Sequence, residues 1–451
     1  MTITILGAGI AGLSCSSHLG HEQCILFEKN FYPGGHIATH KREGSFWDEG
    51  PHVSFTKHDK VRELLTKSSK GDLLDIYATV GNWYKGNWIP HPAQANLHAV
   101  PMPLAEQCLE DFLSSRPTEG EVPRKEPANY GEWLEMSFGT KFAQTFPASY
   151  TRKYWTCEPE DLTTDWVGER VFAPDVDTVK NGFHRPPLNS THYITNMRYP
   201  KHGGFVSFVD GLTEGSNIKL GHEIISIDMK SKQLYFANGA RHTFDKLINT
   251  LPLDLFIGLI IDAPQEIVDV CSGLHCSSML LVNILSRGRP AQPYHWLYVY
   301  DEDMYSTRIT QTSLLSPNNT PSGYNGIQVE VYESKYRRFS VSHPEIADIV
   351  LKEAASMGLL GKHPSVHTQY IKYSNIICSH GRREALDKVF SWLQQYGLER
   401  EPDDLEPMTD WAAKTPMATC PKLALAGRFA QWKYFWTDDC LLRGEYLAGS
   451  P

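Results

Sequence analysis

The apolar residues of this chain change their spacing several times, and each change marks a different kind of element. Residues 2–6 form an apolar run that predicts a buried strand, and 7–19 read as a glycine turn opening into a helix. A second run at 24–28 predicts another strand, so the chain opens with a βαβ unit. From about 97 to 171 the period becomes helical. Stretches 104–114 and 130–142 repeat their apolar residues at that spacing, with prolines between them, and predict a mostly helical insertion. Strand patterns return at 224–229 and 233–237, joined as a hairpin through 230–232, and again at 247–250. Runs at 277–286, 295–300 and 326–332 predict the strands of a separate sheet, followed by a helix at 346–357. A short buried strand at 423–426 runs into Gly427.

Together these elements predict an α/β fold: a Rossmann-like domain, an interleaved helical domain and an antiparallel-sheet substrate domain. Pro and Gly are spread along the chain, which argues for interleaved domains and not for beads on a linker. Segments 1–85, 199–252 and 366–451 are assigned to the Rossmann-like domain, 86–198 to the helical part and 253–365 to the antiparallel sheet.

Composition narrows the function. Of the 451 residues, 41% are hydrophobic and 21% charged, the balance of a globular protein, and the net charge of −9 argues against nucleic acid as a partner. The nine cysteines are scattered without a CxxC pair, a spacing that predicts packed thiols, no disulfide framework and no metal site. The longest apolar stretch, 251–261, is broken by Pro252, Asp254 and Gly258 and is too short to span a bilayer. With a strand predicted at its very start, the chain is expected to carry no signal peptide and no membrane insertion, and to be a cytoplasmic enzyme.

The sharpest chemistry lies in the first turn. Gly7-Ala8-Gly9-Ile10-Ala11-Gly12 sits between a predicted strand and a predicted helix. The first glycine permits the turn, the second lets backbone approach a pyrophosphate, and the third lets helix and strand pack closely. Glu28 closes the second strand, placed to accept hydrogen bonds from a ribose. Pro33-Gly34-Gly35 adds a second glycine pair, and Gly427-Arg428-Phe429 a third glycine turn near the other end of the chain. A cofactor gripped from both ends of the chain favours tightly bound FAD over NAD, which makes the Rossmann-like part an FAD-binding domain.

Five further segments, in order along the chain, resemble the flavin-dependent UDP-galactopyranose mutases, within the wider amine oxidase and protoporphyrinogen oxidase-like superfamily. Gly50-Pro51-His52-Val53-Ser54-Phe55 is similar to that family's histidine loop beside the flavin, and Trp88 to Asn96 to its uridine cradle. The segment from Trp166 to Pro174 resembles the stretch carrying one phosphate-binding arginine, here Arg170. Trp296-Leu297-Tyr298 with Arg308 resembles the tyrosine and second arginine of the same site, and Gly427 to Tyr434 the C-terminal flavin turn. His202-Gly203-Gly204 is similar to the glycine pair lying against the isoalloxazine ring.

The resemblance implies FAD held by Gly7, Gly9, Ala11, Gly12, Glu28, Gly34, Gly35 and His36, and further along by Pro51, His52, Gly203, Gly204, Ile224, Gly427, Arg428, Tyr434 and Asp438. It implies a nucleotide-sugar substrate held by Phe55, His91, Gln94, Thr151, Trp155, Arg170, Tyr298, Arg308 and Tyr434, with His52, Arg170 and Arg308 as the catalytic set. The arginines suit a diphosphate because guanidinium makes bidentate charge-assisted bonds; a structural ion pair is the plainer alternative. The implied reaction interconverts pyranose and furanose forms of a UDP-sugar for surface polysaccharide biosynthesis. Reduced flavin attacks the anomeric carbon through N5, without net redox change, and a homodimer is the implied assembly. Two departures stand out. His91 replaces a frequent tyrosine, and Asn375 and Ile376 stand where the family places a phosphate-holding tyrosine. An FAD-dependent oxidoreductase of the amine oxidase type, and a flavin-binding protein without turnover, stay open as rivals.

Overall fold

The computed structural model describes residues 2–116, 126–168, 171–187, 194–406 and 410–449. The segment that opens the chain becomes the middle of a five-stranded parallel sheet. Its order is Leu423–Leu425, Lys246–Asn249, Ile3–Leu6, Cys24–Phe27 and Ile218–Lys219. Ile5, Leu26, Leu247, Ile248 and Leu423 have no exposed surface, as expected of parallel strands covered on both faces. The helix Ile10–Leu19 crosses between the first two strands. Its buried face, Ala11 to Ser16, receives the last helix, Thr437–Ala448. Ser14 Oγ donates to the Leu441 carbonyl at 2.6 Å, and a Cβ on Gly444 would stand 2.2 Å from Ser14 Oγ. The two ends of the chain are therefore one packed unit.

The second sheet has seven strands, in the order Lys362–Ile376, Cys276–Arg287, Tyr324–Glu333, Arg308–Gln311, Trp296–Val299, Val80–Tyr84 and Asn87–Pro90. All neighbours are antiparallel except Trp296–Val299 with Val80–Tyr84. Side chains alternate across it. Val282, Ile284, Leu297, Ile309, Val329 and Val331 form one core with Ile346, Val350 and Ala354 of the helix His343–Ser356. The other face carries Asn283, Thr310, Gln328 and Glu330, which are equally buried. A buried polar face of this kind has to find partners, and Gln328 Nε2 donates to the Asp48 carbonyl (2.9 Å) at the end of the strand Ser45–Asp48.

The helical part comprises Leu104–Ser114, Tyr130–Phe138, Thr140–Thr145, Pro147–Tyr154 and Val176–His184 among the described residues. The single helix expected over 130–142 is two, because Gly139 turns the chain at φ +78° and Asp111 Oδ2 accepts the Lys141 N–H at 2.6 Å. The boundary at 85/86 falls in the turn of a hairpin whose two strands both belong to the seven-stranded sheet, and 365/366 falls inside its strand Lys362–Ile376. The expected hairpin at 224–237 is present, extended by a third strand, Arg241–Thr243. All nine cysteines are free, and all but Cys276 are buried. Among the described residues, no helix is long and apolar enough to cross a membrane.

Candidate active site

A groove lined by bare backbone runs along the carboxyl ends of the parallel strands. Gly7 turns at φ +95°, and a Cβ on Gly12 would stand 2.2 Å from the Gly7 carbonyl oxygen, so that packing requires glycine. Gly9 bridges Gly34, and a Cβ on Gly35 would stand 2.9 Å from Gly9 Cα. Gly427, at φ +101°, closes from the far end of the chain against Ala11. The helix Ile10–Leu19 has Gly9 at its N-cap with no capping side chain, so its first-turn N–H groups face the groove without an intrahelical acceptor. Glu28 is buried. Its carboxylate accepts from the Ala8 N–H and the Asn30 N–H, both at 2.9 Å, which fixes the loop that frames the groove. His36 stands beside Phe429, ring centroids 5.5 Å apart, and Ile224 begins the three-stranded sheet, packed against the main core. This donor-rich, glycine-lined channel fits the pyrophosphate and adenosine of FAD.

The groove continues past Pro51 to His52. The His52 ring lies 5.3 Å from Phe205, and Nδ1 donates to the Gly50 carbonyl at 2.7 Å, leaving Nε2 as an acceptor. Enclosure by protein pushes the His52 pKa down to about 4, with Arg428 and Arg308 acting in the same direction, so the ring is neutral near pH 7. Gly203 and Gly204 turn at φ +83° and +80°, and a Cβ on Gly204 would stand 2.3 Å from Thr39 Cγ2. The turn is pinned by buried Asp48, which accepts from Thr39 Oγ1 (2.6 Å), the Tyr199 hydroxyl (2.6 Å) and the Phe205 N–H (3.0 Å). At the C-terminal turn, Arg428 Nε donates to the Phe435 carbonyl at 2.7 Å, with the guanidinium 5.2 Å from the Tyr434 ring centre. Asp439 caps the last helix by accepting the Trp436 N–H (2.7 Å), while Asp438 accepts the Asp439 N–H.

Opposite lies a tyrosine-rich cleft built on the polar face of the seven-stranded sheet. Arg308 pairs in register with Glu330, and its Nε (2.9 and 3.0 Å) and Nη2 (2.8 Å) grip that fully buried carboxylate. The Tyr332 hydroxyl donates to the same carboxylate. Burial is the largest influence and works against the Arg308 charge, but Glu330 together with Tyr332, Tyr154 and Tyr150 holds the guanidinium pKa above its ordinary value. Nη1 has no hydrogen bond to another described residue. Around this charge stand Tyr150, Tyr154, Tyr298 and Tyr332, their phenols held neutral by burial. The buried Tyr150 hydroxyl has no partner among the described residues.

Other expected residues are distributed as follows. His91 lies 4.8 Å from Tyr298, ring to ring, with Nδ1 donating to Asn82 Oδ1 at 2.9 Å. Gln94 Nε2 donates to the Phe172 carbonyl (2.9 Å), and Phe55 meets Trp436 edge-on at 4.9 Å. The Thr151 hydroxyl turns back to the Pro147 carbonyl of its own helix (2.7 Å). Trp155 stands between Tyr434 and Trp166, 5.1 Å from each. Arg170 lies outside the described residues.

Sequence reasoning passed over Tyr154 and Glu330. The Tyr154 hydroxyl donates to Asn375 Oδ1 at 3.1 Å and meets the Tyr434 hydroxyl at 3.3 Å. It places a phenol beside Asn375. Tyr150 and Tyr154 share one short helix, with Trp155 directly after it, and that clustering of aromatics was the available signal. Glu330 carried none, being one of several polar residues in its strand, although a carboxylate buried there demands a buried cation.

A family model for flavin containing amine oxidoreductases matches residues 10–373. The chain belongs to this family. Its cofactor is FAD, in agreement with the groove. Among curated proteins it is similar to a 15-cis-phytoene desaturase of chloroplasts and chromoplasts from an Oncidium hybrid cultivar. The two are 24% identical over 309 residues, covering 59% of this chain and 49% of the relative, so the match spans about half of that protein. Among solved structures it resembles a reduced UDP-galactopyranose mutase, with a TM-score of 0.85 and 24% identity over 99% of this chain and 94% of that one. It also resembles a putative protoporphyrinogen oxidase from Exiguobacterium sp. 255-15, with a TM-score of 0.73 and 15% identity over 99% and 97%. At these identities the structural likenesses establish the fold.

Proposed function

We propose that this flavoenzyme is a nucleotide-sugar mutase that interconverts pyranose and furanose forms of a UDP-sugar, its product feeding surface polysaccharide assembly. The observation that carries the reading is the composition of the cleft. An arginine held by a buried carboxylate, ringed by tyrosine hydroxyls, suits a diphosphate and suits poorly an aliphatic amine or a polyene. The overall likeness to a UDP-galactopyranose mutase supports it. Bound FAD, in its reduced form, supplies the nucleophile for the anomeric carbon. The chain's own residues do the rest. Arg308, oriented by Glu330, offers Nη1 to the leaving diphosphate, whose charge grows as its bond to the sugar breaks. Tyr150, Tyr154 and Tyr434 add hydroxyl groups to the site, and Arg170 would join them. Neutral His52 presents Nε2 at the flavin end without adding a charge.

The test is to incubate dithionite-reduced protein with UDP-galactopyranose and separate the products. Furanose formed by the reduced and not by the oxidised enzyme is the expected result. A second reading, an oxidoreductase that passes substrate hydride to FAD, is favoured by the family and by the phytoene desaturase relative. It predicts substrate-dependent bleaching of the flavin followed by consumption of an electron acceptor. That outcome, with no furanose formed, would displace the mutase.

A further inference from the structure

Behind the tyrosine cleft is a second cavity of about 200 Å³, lined by Lys153, Arg337 and Arg338 together with Tyr305, Thr307 and Ser340. Arg308, Tyr298 and Tyr434 do not line it, and Tyr332 is the one wall residue it shares with the cleft. Among the described residues, three cations line it and no carboxylate does. Lys153, only 3% exposed, donates through Nζ to the carbonyls of Asp301 (2.6 Å) and Ser306 (2.8 Å). No carboxylate of a described residue lies within ion-pair distance of that nitrogen.

The nearby acids are otherwise engaged. Glu353 accepts from the Tyr305 N–H (2.7 Å), the Ser306 N–H (2.9 Å) and Ser306 Oγ (2.6 Å). Asp301 accepts the Lys85 N–H, and Glu333 accepts from the Tyr370 hydroxyl and the Phe339 N–H. Arg337 reaches only the Arg152 carbonyl among the described residues, at 3.2 Å. Burial without a counter-ion lowers the Lys153 pKa to about 7, Arg337 acting in the same direction while Glu353, Asp301 and Asp303 oppose. A neutral amine has two N–H bonds, matching the two carbonyls it serves. Protonation adds a third donor and a charge that the cavity can satisfy only with an anion.

We propose that this cavity binds a tetrahedral dianion, a phosphate group, between Lys153 and the Arg337 and Arg338 guanidinium groups. Two guanidinium forks and an ammonium match a phosphate's oxygens and charge, and the Tyr305, Thr307 and Ser340 hydroxyls complete a polar wall. The site is separate from the nucleotide site proposed above and does not depend on it.

Calorimetric titration of the holoenzyme with sulfate, inorganic phosphate and glycerol 3-phosphate tests the assignment. Sulfate does not titrate near neutrality, so its binding should take up protons at about pH 8, read from buffers of different ionisation enthalpy. The double variant Arg337→Gln/Arg338→Gln, altered at exposed positions, should weaken sulfate and phosphate binding about tenfold or more while leaving the flavin spectrum unchanged. Equal affinity for phosphate and its ester assigns the site to the free ion, and preference for the ester to a phosphorylated metabolite. Lys153→Met should abolish both the binding and the proton uptake. Unchanged binding in the double variant overturns the proposal, and so does sulfate binding without proton uptake.

Discussion

Arg308 illustrates how one side chain can be structural and still available to a ligand. Its Nε and Nη2 hold buried Glu330, so truncation to alanine would leave that carboxylate without its cation, at a cost of about 3–5 kcal/mol of stability. Arg308→Lys keeps the charge and gives up the fork. We expect it to retain FAD and lose about 2 kcal/mol of UDP affinity, or roughly thirtyfold, read from the ligand-induced change in the flavin spectrum. An unchanged dissociation constant would remove Arg308 from the diphosphate site. Tyr154→Phe removes a hydroxyl placed between Asn375 and Tyr434 and should cost about 1 kcal/mol in UDP affinity, with FAD content unaltered. Equal loss of FAD would make Tyr154 a cofactor residue instead. Lys153 has a pH signature of its own. Its folded pKa of about 7 lies below the unfolded value of about 10.4. Between those values the unfolded chain binds the extra proton, so the Lys153 contribution to stability rises with pH across that window and is flat below it. Denaturant midpoints of wild type and Lys153→Met should therefore diverge between about pH 7 and pH 10, and parallel profiles would show that Lys153 stays charged.

At the level of elements, the glycines separate those that shape the groove from those that do not. Gly12→Ala would drive a methyl group to 2.2 Å from the Gly7 carbonyl, and the opening loop would have to shift. The expected result is a destabilisation of about 1–3 kcal/mol and protein purified with little flavin. Gly258, in the helix Leu253–Leu259, would meet nothing within 4 Å of an added methyl group and has ordinary helical backbone, so Gly258→Ala should be neutral or stabilising by up to about 1 kcal/mol. A yellow, stable Gly12→Ala protein would undo the argument. The same contrast explains which elements are legible in the sequence. The strands Ile3–Leu6 and Cys24–Phe27 are apolar on both faces and announce themselves, as do the glycine turn between them and the hairpin at 224–237. The strand Lys362–Ile376 does not. It is an edge strand, in which only Ile371, Asn375 and Ile376 are buried, with Pro364 near its start and polar residues on both faces, so no alternation marks it. The helix expected over 130–142 failed for a local reason, because apolar spacing continues across Gly139 while its backbone does not. In the cleft, Arg308 was legible through its neighbours in sequence. Glu330 and Tyr154 reach it from strand register and from another helix, relations that a linear reading cannot supply.

On the scale of the whole molecule, the groove joins parts of the chain that are far apart in sequence. Gly9 and Gly35, the Gly203-Gly204 turn and Gly427 all border it, and the last helix lies on the first. The seven-stranded sheet meets this assembly through buried polar contacts such as Gln328 with Asp48 and through apolar packing, Val80 and Trp296 sharing a core with Ile5 and Leu26. A cofactor occupying that seam is bound by the folded arrangement alone, so its binding free energy adds directly to stability. At a hundredfold excess of free FAD over its dissociation constant the gain is about 2.7 kcal/mol. Protein stripped of flavin should therefore melt at a lower temperature and recover on adding FAD, with a midpoint that climbs logarithmically with FAD concentration. Because Gly427 and the last helix form one wall, deleting residues 423–449 should remove both FAD retention and the FAD-dependent part of that midpoint. If the stripped protein melts where the holoprotein does, the groove is rigid without its occupant and FAD contributes nothing to holding the two sheets together.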